Sequence, residues 1–191
     1  MDELVSQDGS KKVFSRRQTW IFAIKAVLVL GSIFAFYIYV AERYTFGIDS
    51  QKERCLNYRY FLIDRWQRPT AAELSKDELL AVHLTEKQRP PTARWTTDVV
   101  MVKRVVASEP GTIASVRRTG ISFTHDGKTW THGTALETAR RLGHPEEFYE
   151  RDFVLGVGQF FFMGDNPHTY DSRYYGPLDE EMIVGRVVWA W

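Results

Sequence analysis

Residues 160–176 read Phe-Phe-Phe-Met-Gly-Asp-Asn-Pro-His-Thr-Tyr-Asp-Ser-Arg-Tyr-Tyr-Gly, the most informative run in the chain. An apolar segment passes directly into Gly164-Asp165-Asn166, and Asp171-Ser172-Arg173 follows. The pattern predicts a buried strand, a tight turn and a polar segment held by an internal ion pair. Gly, Asp and Asn suit backbone positions with positive φ and side chains that bond their own main chain. An Asp two residues before an Arg holds a loop rigid when both are partly desolvated. None of these residues is an obvious nucleophile. The stretch therefore reads as the support of a site whose reacting groups lie upstream.

The totals narrow the field. With 191 residues, 44% of them hydrophobic, there is room for one modest domain and an appendage. A formal charge of +1 leaves no basic excess to neutralise phosphates, which argues against nucleic acid as a partner. The lone cysteine, Cys55, excludes an internal disulfide framework, and five scattered histidines give no metal-ligand spacing. No cofactor is implied.

Moving outward towards the N-terminus, residues 1–17 are polar and end in Lys11, Lys12, Arg16 and Arg17. Thr19 to Val40 is apolar apart from Lys25, Ser32, Tyr37 and Tyr39, the length a helix needs to cross a bilayer. Lys25 is near enough to one end for its ammonium to snorkel to the interface. A cleaved signal peptide is the rival, but the apolar core is too long and no small-x-small site follows it. The division expected is a cytoplasmic tail over 1–17, a transmembrane anchor over 18–41, and an outer domain over 42–191. The basic flank sets that orientation, with the N-terminus in the cytoplasm.

Beyond the anchor the periodicity is that of strands. Tyr58–Ile63 and Val99–Ala107 read as strands, and Glu78–Leu84 as a strand or a short helix. Lys87–Thr97 is a polar loop around Pro90-Pro91. Short strands are predicted at 112–117, 121–124 and 128–131, the last two joined by Asp126-Gly127. Residues 134–150 read as a helix broken by Gly143-His144-Pro145, and 153–163 and 182–191 as the closing strands. The fold class is thus mainly antiparallel β, with a small α/β insertion over about 112–150. His125, His132, His144 and His168 fall in loops, as solvated residues. Trp189 and Trp191 read as core or membrane-interface residues.

Lys103 lies inside the most apolar strand. Alternation places it on the face of Met101 and Val105, with Arg104 on the other. It is either a solvated residue on a half-exposed strand or a buried amine, and a neutral buried amine is a general base.

Val102-Lys103-Arg104-Val105-Val106-Ala107 followed by Glu109-Pro110-Gly111 resembles the lysine box of type I signal peptidases (peptidase family S26). Gly164-Asp165-Asn166 through Asp171-Ser172-Arg173 to Gly176 resembles their C-terminal box, and Ile183-Val184-Gly185-Arg186 their closing strand. The resemblance runs from about residue 45 to residue 191 and is weakest over 112–150. It implies an endopeptidase with Lys103 as general base, Thr169 as the hydroxyl that orients its amine, Ser172 beneath it, and Asp171 with Arg173 as a supporting pair. The chain departs from the family where Ser-Met-x-Pro should follow the anchor. Two nucleophiles fit there. Ser50 has the spacing from Leu62 of a signal peptidase serine. Cys55 better matches the shorter motif of the conjugative-transfer (TraF-type) branch, with Asn57 for Pro and Arg59 where Gly is usual. A thiol needs less help from an amine than a hydroxyl does. The bland alternatives are a small core residue for Cys55 and a turn beside Asp49 for Ser50. The implied partners are membrane lipid, an exported precursor such as a conjugative pilin precursor, and conjugation or secretion machinery. A non-catalytic assembly subunit on the same fold is the competing reading.

Overall fold

The computed structural model describes residues 16–51, 54–90, 99–132 and 136–191. The basic residues Lys11 and Lys12, most of the Pro-rich loop after Pro90, and the first residues of the predicted 134–150 helix lie outside them. The chain divides into two units, Met1–Ala41 and Glu42–Trp191.

Helix α1, Arg16–Arg43, has 28 residues and is therefore about 42 Å long, more than a bilayer core requires. Its apolar side chains are exposed all round, from Trp20 and Phe22 to Phe36 and Tyr37. A helix apolar on every face with no protein to cover it suits hydrocarbon. The Ser32 hydroxyl donates to the Leu28 carbonyl at 2.8 Å, so this polar group makes no demand on solvent. Among the described residues it is the one helix long and apolar enough to span a membrane.

The second unit holds two antiparallel sheets. The larger contains β1 (Tyr44–Ile48), β2 (Tyr60–Asp64), β3 (Leu79–Leu84), β4 (Val99–Ala107), β9 (Gln159–Met163), β10 (Leu178–Asp179) and β11 (Ile183–Ala190). Their order is β1-β2-β11-β3-β4-β9-β10. The smaller sheet contains β5 (Ile113–Arg117), β6 (Gly120–His125), β7 (Lys128–Thr131) and β8 (Arg151–Val154), in the order β7-β6-β5-β8. At sheet spacing, the four steps from β1 to β4 amount to about 19 Å. Residues of β1 and β4 nevertheless line one cavity, so the sheet curls and brings them to face each other.

Strand β9 explains the run of phenylalanines. Phe160 and Phe162 enter a core with Leu80, Val105 and Leu178, while Phe161 and Met163 enter one with Phe123 and Val116 from the smaller sheet and with Leu155 just beyond it. A strand buried on both faces reads as continuously apolar instead of alternating. Residues 153–163 are therefore not one strand. The chain leaves the small sheet after Val154, turns through Gly158 with φ 76°, and enters the large sheet at Gln159. The predicted helix over 134–150 also differs. Its described part forms two 3-10 turns, Ala139–Leu142 and Glu146–Tyr149. Ala139 and Leu142, three apart, are both buried, which suits the tighter helix, and Gly143 at φ 81° stops it. The insertion is thus β with 3-10 turns. Glu78–Leu84 resolves as strand, and Asp126-Gly127, both at positive φ, makes the predicted hairpin turn. Trp189 and Trp191 are exposed; Trp191 packs with Phe46 and Tyr60 and Trp189 against Trp191, as an aromatic ledge and not in the core.

Candidate active site

The loop 49–59 between β1 and β2 carries both candidate nucleophiles. Asp49 shapes it. One carboxylate oxygen accepts from the Gln51 N–H at 2.9 Å and the other from the Cys55 N–H at 3.3 Å. This encloses Ser50 in an Asx turn, a conformation in which the Asp side chain bonds the main chain two residues on. Ser50 is exposed, whereas Cys55 is half-buried and its thiol donates to Gln51 Oε1 at 3.3 Å. The far side of Cys55 is fixed as well: its carbonyl accepts from the N–H groups of Asp165 at 2.8 Å and Asn166 at 3.2 Å. The sequence-distant Gly-Asp-Asn turn therefore holds the loop that bears the thiol.

Lys103 is 1% exposed, opposite Leu80 on β3 and on the face of Val105. The buried alternative is the one realised. Lys103, Cys55 and Ser50 line the same cavity of about 470 Å³, together with apolar residues such as Ile48, Phe61 and Met101 and the polar Asp49, Gln51 and Arg65.

The polar segment after β9 packs behind the lysine. Arg173 forks onto Asp171, Nε at 2.8 Å from Oδ1 and Nη2 at 2.8 Å from Oδ2, with the guanidinium 1% exposed and the carboxylate fully buried. The same guanidinium donates to the carbonyls of Pro167 at 3.1 Å and Thr169 at 3.2 Å, pinning the loop from inside. Asp171 also accepts from the Gly164 N–H at 3.1 Å and the Thr169 hydroxyl at 2.7 Å, and caps the short helix α2, Ser172–Tyr175. Burial pushes the Asp171 pKa up, but the charge and hydrogen bonds of Arg173, then the charge of Lys103, hold it below the ordinary carboxylate value. The Thr169 hydroxyl, implied to aim the amine, is engaged by Asn166, Asp171 and Arg173. Ser172 accepts the Phe162 N–H at 3.1 Å, so its hydroxyl serves the backbone of β9.

Arg104, on the opposite face of β4, had no assigned part. It forks onto Asp165 at 2.9 and 3.0 Å and donates to the Asp77 carbonyl at 2.9 Å. Burial raises the Asp165 pKa, yet Arg104 and the Asn57 N–H bring it below the ordinary value. The adjacent Lys103 and Arg104 therefore divide their work between two faces, one at the cavity and one clamping the turn. Strand alternation contained half of that signal; the partner Asp165, 61 positions away, did not show.

Gly164 corrects a sequence-based expectation. Neither it nor Asp165 nor Asn166 has positive φ. Space is what requires the glycine, because a Cβ there would lie 2.7 Å from both the Cys55 carbonyl oxygen and Thr169 Oγ1. Gly164→Ala should push the nucleophile loop off the turn, destabilise the protein by roughly 1–3 kcal/mol, as overpacking does, and slow turnover. Thermal unfolding together with a cleavage assay checks this.

His132 is half-buried instead of solvated. Burial lowers its pKa below the ordinary imidazole value of 6.5, with Asp77, Asp171 and Asp165 opposing and Arg173 assisting. The folded state resists a proton that the unfolded chain accepts below pH 6.5. Stability is therefore full above that pH and falls as the pH drops towards the folded value. Asp165 and Asp171, also lowered, add a second loss below their unfolded value of 3.8. Unfolding temperature against pH should show both steps, and His132→Phe should remove only the first. Among the described residues, no group of three or more His, Cys, Asp or Glu is placed to hold a metal ion.

Comparison with known proteins supports the motif reading. The family model for signal peptidase, peptidase S26, matches residues 17–191. Signal peptidase I of Haemophilus influenzae is 33% identical over 67 residues, which are 32% of this chain and 19% of that protein. Thylakoidal processing peptidase 1 of Arabidopsis thaliana is 32% identical over 102 residues, 53% of this chain and 27% of that protein. Both curated relatives are thus matched over little more than a quarter of their length at most. A signal peptidase I structure from Enterococcus faecalis aligns over 61% of this chain and 97% of its own, at 20% identity and a TM-score of 0.37.

Proposed function

This chain belongs to the signal peptidase family, peptidase S26, and from that membership we propose a membrane-anchored endopeptidase that cleaves an exported precursor through a Cys55–Lys103 dyad. The N-terminus lies in the cytoplasm, α1 is the anchor, and residues 42–191 act on the outer side, an orientation that rests on the basic flank. The observation that carries the reading is the buried Lys103 amine on the wall of a cavity that Cys55 also lines. Cys55 is preferred to Ser50 because its backbone is held at both N–H and carbonyl, whereas Ser50 is exposed within a turn. A nucleophile held in place spends little entropy on reaching the attack geometry.

Lys103 takes the thiol proton, the sulfur attacks the scissile carbonyl, and the lysine returns the proton to the departing amine. The product is a thioester acyl-enzyme, resolved by water or by the substrate's own amine. The Cys55 N–H, now 3.3 Å from Asp49, supplies a main-chain donor for the developing oxyanion, and so long a bond is readily exchanged for it. An extended precursor can add to a strand edge beside the cavity. The TraF-type likeness of the first motif makes a conjugative pilin precursor the leading candidate, with cyclisation the result when an amine resolves the thioester.

Co-expression of exported precursors with the chain and its variants tests this. Cys55→Ala should abolish processing, Cys55→Ser should retain part of it, and Ser50→Ala should process normally. Loss in Ser50→Ala alone would transfer the role to the serine. No processing by the parent chain would favour a non-catalytic assembly subunit.

A further inference from the structure

A second cavity, of about 480 Å³, opens on the other side of Cys55. Gln51, Cys55 and Met101 line both cavities and so form the partition between them. The two differ in chemistry. The first is walled mainly by apolar side chains of β1, β2 and β4 and also by Asp49, Arg65 and Lys103, whereas the second sets Arg141, Asn166, His168 and Tyr170 beside Pro90 and Leu142. Arg141 stands exposed on the 3-10 turn Ala139–Leu142, in the connection between β7 and β8 of the smaller sheet. His168 is paired with Glu137 at 3.1 Å, and the Thr138 hydroxyl holds the His168 carbonyl at 2.6 Å, which fixes this wall.

Resting on the peptidase reading above, we infer that this second cavity receives the residues that follow the scissile bond, and that Arg141 gives it a preference for an acidic side chain there. A peptide whose carbonyl is attacked by Cys55 must leave the sulfur in two directions. The partition gives each direction its own cavity. Small or apolar residues before the cut suit the first. The polar start of a mature chain suits the second, where a guanidinium attracts a carboxylate and repels a lysine.

Purified full-length enzyme in detergent is given peptides identical up to the cut and carrying Asp, Ala or Lys at the second residue beyond it. For the parent, kcat/KM should be higher for Asp than for Lys by about threefold to fivefold, the scale of an exposed charge pair. Arg141→Glu should invert the preference, changing the Asp-to-Lys ratio by about tenfold, and Arg141→Lys should preserve it. The ratio within one preparation cancels any loss of folded enzyme. Asp or Lys placed three residues before the cut should not respond to Arg141. Cleavage with a ratio that ignores the charge at 141 would overturn the subsite while leaving the peptidase reading intact. Failure of the parent to cleave any peptide or precursor would overturn both.

Discussion

Lys103→Met should reduce precursor processing by at least about 100-fold in kcat/KM, the scale lost with a general base, while the protein stays folded. The side chain is 1% exposed, with Leu80 opposite it and Val105 on its face, so methionine fills the space with apolar atoms. Asp171 keeps its fork to Arg173, and no buried charge is stranded by the change. Unfolding temperature should therefore move little while activity vanishes. That combination separates a catalytic amine from a structural one. Processing that survives within severalfold would sink the dyad.

Asp171→Ala should have the largest effect on stability. It leaves the Arg173 guanidinium, itself 1% exposed, without its carboxylate, and stranding one partner of a buried pair costs about 3–5 kcal/mol. The Gly164 N–H and the Thr169 hydroxyl lose an acceptor in the same step. Because that turn holds the Cys55 carbonyl, turnover should fall along with the unfolding temperature. Replacing both residues, Asp171→Ala with Arg173→Met, should cost less than the sum of the single changes, since no lone charge remains. Thermal unfolding of the full chain in detergent reads all three variants. Additive costs would show that the pair is not the element holding the loop.

Local pattern carried much of this molecule. The apolar stretch of α1, the β-branched run of β4 and the Asp126-Gly127 turn depend on near neighbours and were legible as such. Strand alternation placed Lys103 with Val105, and burial agrees. The phenylalanines of β9 were legible as core, but not as the seam between two cores. That outcome depends on which sheets lie on either side. The 153–163 run was misread for the same reason, because a chain leaving one sheet for another keeps its apolar character through the switch. The 3-10 turns replaced an α-helix because Gly143 and Pro145 leave no length over which α-helical hydrogen bonding can build up.

The sequence by itself determined the list of parts: an apolar helix, a lysine on a core-facing strand position, and the ordered motifs that mark the family. Short-range sterics and side-chain alternation suffice for these. The tertiary structure alone decided how the parts meet. The curl of the large sheet puts β1 across a cavity from β4, and the turn at 164–166 takes the Cys55 carbonyl. Arg104 reaches Asp165, and Gly164 is small because another segment's backbone passes beside it. Each of these is a contact between residues far apart in the chain, and its energy appears only when folding brings both partners out of water together.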